Sequence, residues 1–431
     1  MVLNSVGNMG ENVVLGWLTL ELTNSPFMVG VAMSMRPLPL FFLGVPAGAL
    51  ADRVSRRHLL IVTSLGQALV AASLGTVVLF GAVSVAHVML FTLATGVLRA
   101  LEHAARQSYA HDVVGRGALV SGLAFLGVAM RAGWLVGSLG VGAVIARWGA
   151  GAAYMAVAAG FLGGALALAS FAASKREARG AETGTGGRRV PLGSTAQRSD
   201  CEVAPRPRVL HSPLTPAAPG GRPSPSPRPA PESLTRAVLD FLVLVRRDRT
   251  LLVLMMLTAG AEVLGFAHQT VLPSLARDIL HVGPEGLGAL YAARAVGGVV
   301  GLAAATRRGG AGGAAFLGVL VTFGVSLIVL GGAPYAVGFV GVAIVVVIVN
   351  AAGALADLFA QSLLQLSVPS ELRGRAGGAR VVAIGLAPLG QLQIGALASA
   401  FGVSVALASS GFALVILAAA TALLFPRLKR V

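Results

Sequence analysis

Cysteine is almost absent. Cys201 is the sole one in 431 residues, which excludes an intrachain disulfide and a cysteine-built metal cluster. Charge is scarce as well: 12% of residues are Asp, Glu, Lys or Arg, against 55% hydrophobic, with a mean hydropathy of +0.81. Globular chains carry roughly 25% charged residues. A chain this long and apolar cannot keep its surface wetted, so lipid replaces water as its main solvent. No Gly-x-x-x-x-Gly-Lys-Ser/Thr loop occurs, which argues against an ATP-driven pump. No hydrolytic triad or metal-ligand cluster is present either, so the chain is read as a non-enzyme with no cofactor and no metal. Acidic residues are few, 17 against 33 basic, and the formal charge is +16. The Arg residues fall between apolar blocks and in one linker, without interleaved aromatics. That pattern fits loops facing anionic lipid and not a nucleic-acid surface. The first apolar block starts almost at Met1 with no basic stretch before it, so no cleavable signal peptide is expected.

What the chain does have is apolar blocks of membrane length, about 20 residues each. Spans are expected near 6–22, 27–50, 58–80, 85–101, 120–146 and 151–173, then 251–272, 286–305, 314–330, 335–358, 378–401 and 403–425. The fold class is therefore an all-α membrane protein of twelve transmembrane helices in two six-helix halves. Residues 1–173 form the first half, 174–236 a linker and 237–431 the second half. The linker holds 11 of the 21 prolines, so it cannot build a core and is expected to be disordered. An amphipathic surface helix is expected at 234–245, leading into span seven. Basic residues mark one side of the membrane: Arg53, Arg56 and Arg57, Arg106 and Arg116, Arg307 and Arg308, Arg373 and Arg375, and the terminal Arg427, Lys429 and Arg430. The positive-inside rule puts both termini and the linker in the cytoplasm, in a cell inner or plasma membrane. Short matches, Gln107-Ser108 with Gln361-Ser362 and Gly10-Glu11 with Ala261-Glu262, point to a parallel repeat.

The sharpest motif is Gly48-Ala49-Leu50-Ala51-Asp52-Arg53-Val54-Ser55-Arg56-Arg57, at the turn between spans two and three. Gly48 lets helices approach closely. Asp52 can accept from a guanidinium or a helix N-terminus, and Arg53, Arg56 and Arg57 can donate, so the turn reads as a conformational latch. This segment resembles the signature of the major facilitator superfamily. The runs Asn24-Ser25-Pro26-Phe27, Arg36-Pro37-Leu38-Pro39, Val271-Leu272-Pro273-Ser274-Leu275-Ala276-Arg277-Asp278 and Val368-Pro369-Ser370-Glu371-Leu372-Arg373-Gly374-Arg375 resemble its branch of enterobactin exporters and macrolide-efflux proteins. The resemblance implies two six-helix domains, a central cavity and alternating access, with proton-coupled export of a hydrophobic or siderophore-like molecule. Gly137-Ser138-Leu139-Gly140-Val141-Gly142 is similar to the superfamily's antiporter motif Gly-Pro-x-x-Gly-Gly, with Ser138 in place of Pro. The matching turn in the second half, Gly297 to Arg308, lacks the acid.

Ionisable groups inside apolar spans cost at least about 2.5–3.5 kcal/mol each on insertion scales, so they must face a partner or a wet cavity. Glu11, Glu262 and His268 are the candidates for carrying a coupling proton. Arg36, Arg131, Arg294, Trp17 and Trp134 are candidates for the substrate cavity, as charge partners or flat apolar surfaces. The competing reading pairs Glu11 with Arg36, or Glu262 with Arg294, as structural locks. The expected function is secondary active efflux of a small molecule by a monomer, with the proton and the lipid bilayer as further partners. The alternatives are an inward uniporter or symporter, and a membrane scaffold acting through its linker.

Overall fold

The protein is described from a computed structural model, covering residues 2–114, 119–184, 248–308, 312–367, 383–426 and 428. Apolar blocks become helices because lipid offers their backbone no hydrogen-bonding partner. They run in the order α1 (Val2–Thr23), α2 (Pro26–Met35), α3 (Leu38–Arg53), α4 (Arg56–Leu79), α5 (Val85–Val114) and α6 (Leu119–Gly184). After residues 185–247, which lie outside the description, come α7 (Arg249–Gly260), α8 (Pro284–Arg308), α9 (Gly313–Gly332), α10 (Gly338–Leu366), α11 (Ala387–Phe401) and α12 (Val403–Leu424). The linker and the helix expected at 234–245 lie outside the described residues.

Among the described residues, nine helices are long and apolar enough to cross a membrane. The longest of these, Gly127–Ser170, contains two crossings, because it bends at Gly149, whose φ of 80° suits a residue without Cβ. α1 is not among the nine; its polar residues lower its hydropathy, yet most of its length is buried within the protein. α11 is described over only 15 residues. With these additions the twelve spans are accounted for.

Prolines set the breaks. α2 ends at Met35, and Pro37 and Pro39 open α3, since neither ring nitrogen can donate to a preceding turn. The break turns Arg36 into the protein. Span seven loses α geometry after Gly260: a π turn at Ala261–Gly265, a 3-10 stretch at Phe266–Val271, a single turn at Leu272–Ser274 and a second π turn at Leu275–Ile279. Pro273 has no N–H for the carbonyl of Gln269, and the Tyr291 hydroxyl donates to that oxygen at 3.1 Å.

A repeat stronger than the short matches emerges in the packing. Gly137 of α6 lies against the backbone of Val6 in α1, and Gly390 of α11 lies against the backbone of Val263 in the π turn. The same chain distance separates Gly137 from Gly390, Gly142 from Gly395 and Gly149 from Gly402, and both members of the last pair have positive φ at a hairpin bend. Gly30 and Arg36 in span two have the same spacing as Gly288 and Arg294 in α8. Large apolar side chains such as Val62, Leu69, Leu166, Val340 and Phe412 are exposed on the outside of the bundle, the surface that lipid covers. Trp148 is 64% exposed at a span end with the Arg147 guanidinium 5.7 Å from its ring centre, as a belt residue should be.

Candidate functional site

Asn4, Asn8, Glu11 and Asn12 recur at helical spacing in α1 and share one face. Arg99, Glu102, His103 and Arg106 do the same in α5. The sequence reading ended span four at residue 101 because these charges looked like a loop. The helix instead runs on to Val114, and Glu102 is only 4% exposed. Their partners are polar groups on neighbouring helices, which is what allows the charges to stay inside.

The network centres on Arg36. Its Nη2 donates to Glu11 Oε2 at 2.8 Å and to the Asn8 carbonyl at 3.0 Å, and its Nη1 donates to Asn12 Oδ1. Arg99 Nη1 donates to Asn8 Oδ1. Gln67 Nε2 donates to Glu102 Oε2 at 2.9 Å, and Arg106 Nη1 lies 3.8 Å from Glu102 Oε1. Asn4 Nδ2 donates to Ser64 Oγ at 2.7 Å. The structural pair considered for Glu11 is thus formed. Arg99, Glu102, Asn8, Asn12 and Gln67 were missed by reading single charges within apolar runs; the i, i+3, i+4, i+7 spacing in α5 was the available signal.

Beside this network lies a cavity of about 270 Å³. Asn8, Asn12, Arg36, Arg99, Glu102, His103 and Arg106 line it from the first set of helices, and Glu262, Gln269 and Gln391 from the second. Glu262 sits in the π turn, a distortion frequent at functional sites.

The other predicted residues lie elsewhere. His268 is buried, with Nδ1 2.8 Å from the Gly265 carbonyl and Nε2 3.4 Å from Asn350 Nδ2. A carbonyl only accepts, so Nδ1 carries the proton and Nε2 accepts from Asn350. Trp17 is in the core and donates to Glu21 Oε1 at 2.5 Å. Trp134 stacks under Arg131, whose guanidinium is 5.6 Å from the ring centre and abuts Gly298 of α8. Arg294 lies one turn before Gly298, and its buried Nη1 has no hydrogen-bond partner. None of these five lines the cavity. Of the latch residues, Arg57 donates to the carbonyls of Leu168 (Nε, 3.1 Å) and Ala169 (Nη2, 3.0 Å), tying α4 to the second limb of α6. The side chains of Gly48, Asp52, Arg53 and Arg56, and the motif at 368–375, lie outside the described residues.

The two sets of helices meet on the side of the 23–26 and 279–284 turns. Gly30 of α2 crosses Gly395 of α11, and Gly142 of α6 crosses Gly288 of α8. Pro273 packs on Gly16. Arg277 Nη1 donates to the Leu20 carbonyl and to Asn24 Oδ1, both at 3.0 Å, and the Phe27 amide donates to Ser399 Oγ at 3.2 Å. These contacts seal one end of the path between the halves.

A family model described as Major Facilitator Superfamily matches residues 1–391. No curated protein sequence matches the chain. Several solved structures are similar. A peptide transporter POT in complex with sulfate has a TM-score of 0.69 at 13% identity, over 100% of this chain and 93% of that one. The nucleoside transporter NupG has a TM-score of 0.65 at 12% identity, over 98% and 97%. A bacterial homolog of the human lysosomal transporter Spinster, inward-facing and unoccupied, has a TM-score of 0.64 at 14% identity, over 97% and 93%. At these identities the likeness is one of fold.

Proposed function

This chain belongs to the Major Facilitator Superfamily, a multi-pass membrane transporter and not an enzyme, and on that premise we propose that it exports a small molecule across the cytoplasmic membrane by proton antiport. The observation that carries this reading is the cavity: ionisable groups from both sets of helices face it, and the path is sealed at one end. With the basic loops and both termini cytoplasmic, the sealed end is the outer one, so substrate loads from inside. The runs that resemble exporters favour the same direction. Alternating access then requires the α2–α11 and α6–α8 crossings to part while the inner end closes.

Glu262 is the better of the two carboxylates for the coupling role. Glu11 already has a guanidinium 2.8 Å away, so its charge is balanced without a proton. Glu262 stands on the cavity wall, in a helix segment whose irregular winding can shift. Protonation there and substrate binding would favour opposite states, which is what couples the two fluxes. The protein is taken to act as a monomer.

The test uses proteoliposomes with a trapped pH dye and a panel of organic ions, macrolides and catechol siderophores. In the wild type, at least one substrate is expected to trigger proton movement. Glu262→Gln should abolish that movement while substrate exchange persists, and Glu11→Gln should leave coupling in place. Proton movement that survives Glu262→Gln but not Glu11→Gln would reverse the assignment.

A further inference from the structure

We propose that the ligand of this cavity is a small zwitterion, bound with its carboxylate toward Arg36 and Arg99 and its ammonium toward Glu262 and Gln391. The proposal rests on the transporter reading for what happens after binding, and on the cavity alone for the ligand class.

Size comes first. About 270 Å³ is just under the usual range of ligand pockets, roughly 300–1,000 Å³. A macrolide is far bulkier. Chemistry comes second. Ligand pockets are mostly apolar with a few placed polar groups, whereas this lining is dominated by amides, guanidiniums and carboxylates. A hydrophobic substrate would strip water from those groups and give nothing back.

Charge then sets the orientation. The first set of helices brings Arg36, Arg99 and Arg106 together with two carboxylates, Glu11 and Glu102. Arg36 holds Glu11 at 2.8 Å, and Arg106 lies 3.8 Å from Glu102, which also accepts from Gln67. Arg99 is the guanidinium left over, bonded to the neutral amide oxygen of Asn8. That wall carries one surplus positive charge. In addition, the buried Nε of Arg36 has no hydrogen-bond partner, although this side chain is only 6% exposed. A carboxylate supplies both the missing acceptor and the missing charge.

The second set of helices presents the opposite sign. Glu262 is its carboxylate on the cavity. Gln391, only 6% exposed, has an Oε1 acceptor without a donor. An ammonium supplies donors to both. Because an ammonium and a proton would share Glu262, the arrangement also yields exchange of one for the other.

The test compares binding and transport by the full-length protein. In nanodiscs, thermal unfolding is followed with glycine, β-alanine or γ-aminobutyrate as ligand, alongside their N-acetyl and carboxamide derivatives and tetraphenylphosphonium. At least one zwitterion is expected to stabilise the protein, with each derivative needing at least about 100-fold higher concentration, since a site built to pair both groups is left unsatisfied by either loss. Glu262→Gln should close the gap between the zwitterion and its N-acetyl derivative, a readout that a general loss of fold would not produce. Gln391→Leu should weaken the zwitterion at least about tenfold. The same ligands are then offered to proteoliposomes with a trapped pH dye. Zwitterion binding without proton movement upholds the ligand class and overturns the coupling. Proton movement driven by tetraphenylphosphonium and by no zwitterion upholds the transporter and overturns the ligand class. Equal effects of zwitterion and derivatives, or none from any zwitterion, also overturn it.

Discussion

Arg36→Ala is expected to remove most of the protein from the folded, monodisperse fraction in mild detergent. The guanidinium and the Glu11 carboxylate are 6% and 7% exposed and 2.8 Å apart. Deleting the cation leaves a buried carboxylate without its counter-charge, and the Asn8 carbonyl and Asn12 Oδ1 without their donor. Breaking a buried pair from one side costs about 3–5 kcal/mol, a large part of the roughly 5–15 kcal/mol that holds a domain together. Removing both charges is a different matter, because nothing is then left unpaired. The double variant Arg36→Met, Glu11→Gln should recover at least half of the lost thermal stability. Size-exclusion profiles after a temperature ramp would decide this. A double variant no more stable than Arg36→Ala would mean that the pair is not what the single change destroys.

The second large effect concerns the seal. A Cβ on Gly30 would stand 2.5 Å from the Gln391 carbonyl oxygen and 3.3 Å from the Gly395 Cα. A Cβ on Gly288 would stand 2.5 Å from the Ser138 carbonyl oxygen and 3.1 Å from the Gly142 Cα. These neighbours are backbone, so no flexible side chain can swing aside. Overpacking of this kind costs typically about 1–3 kcal/mol, which shifts an equilibrium roughly 5–150-fold. The cost falls on the sealed state alone, because the crossings part when the outer end opens. Gly30→Leu combined with Gly288→Leu should therefore stay folded, lose transport by on the order of 100-fold, and rest open outward. In a Cys201→Ser background, Ser399→Cys should react faster with a membrane-impermeant maleimide in that variant. Normal transport and unchanged labelling would show that these crossings are not the gate.

Some of this was legible in the chain and some was not. Span positions could be read because hydropathy is a local property: any stretch of apolar residues must leave water, whatever lies beside it. The breaks at Pro37 and Pro39 were legible for the same reason, since a missing N–H is felt within one turn. Glu11 and Arg36 stood out as charges with no cheap place in lipid, and the need for a partner followed. Arg99 and Glu102 did not stand out, because a charged run near a span end looks like a loop until the helix is seen to continue inside the bundle.

The sequence by itself determined the solvent, the helices and the signs of the charges. Tertiary structure decided which groups meet. Glu11 and Arg36 are 25 residues apart, Arg99 and Asn8 are 91 apart, and Arg277 reaches Asn24 across 253 residues. It also decided that Glu262 faces the cavity while His268, on the same span, turns into the packing against Asn350. The difference is physical. Transfer to lipid acts on each segment separately, whereas pairing and sealing depend on how helices from opposite ends of the chain are brought side by side.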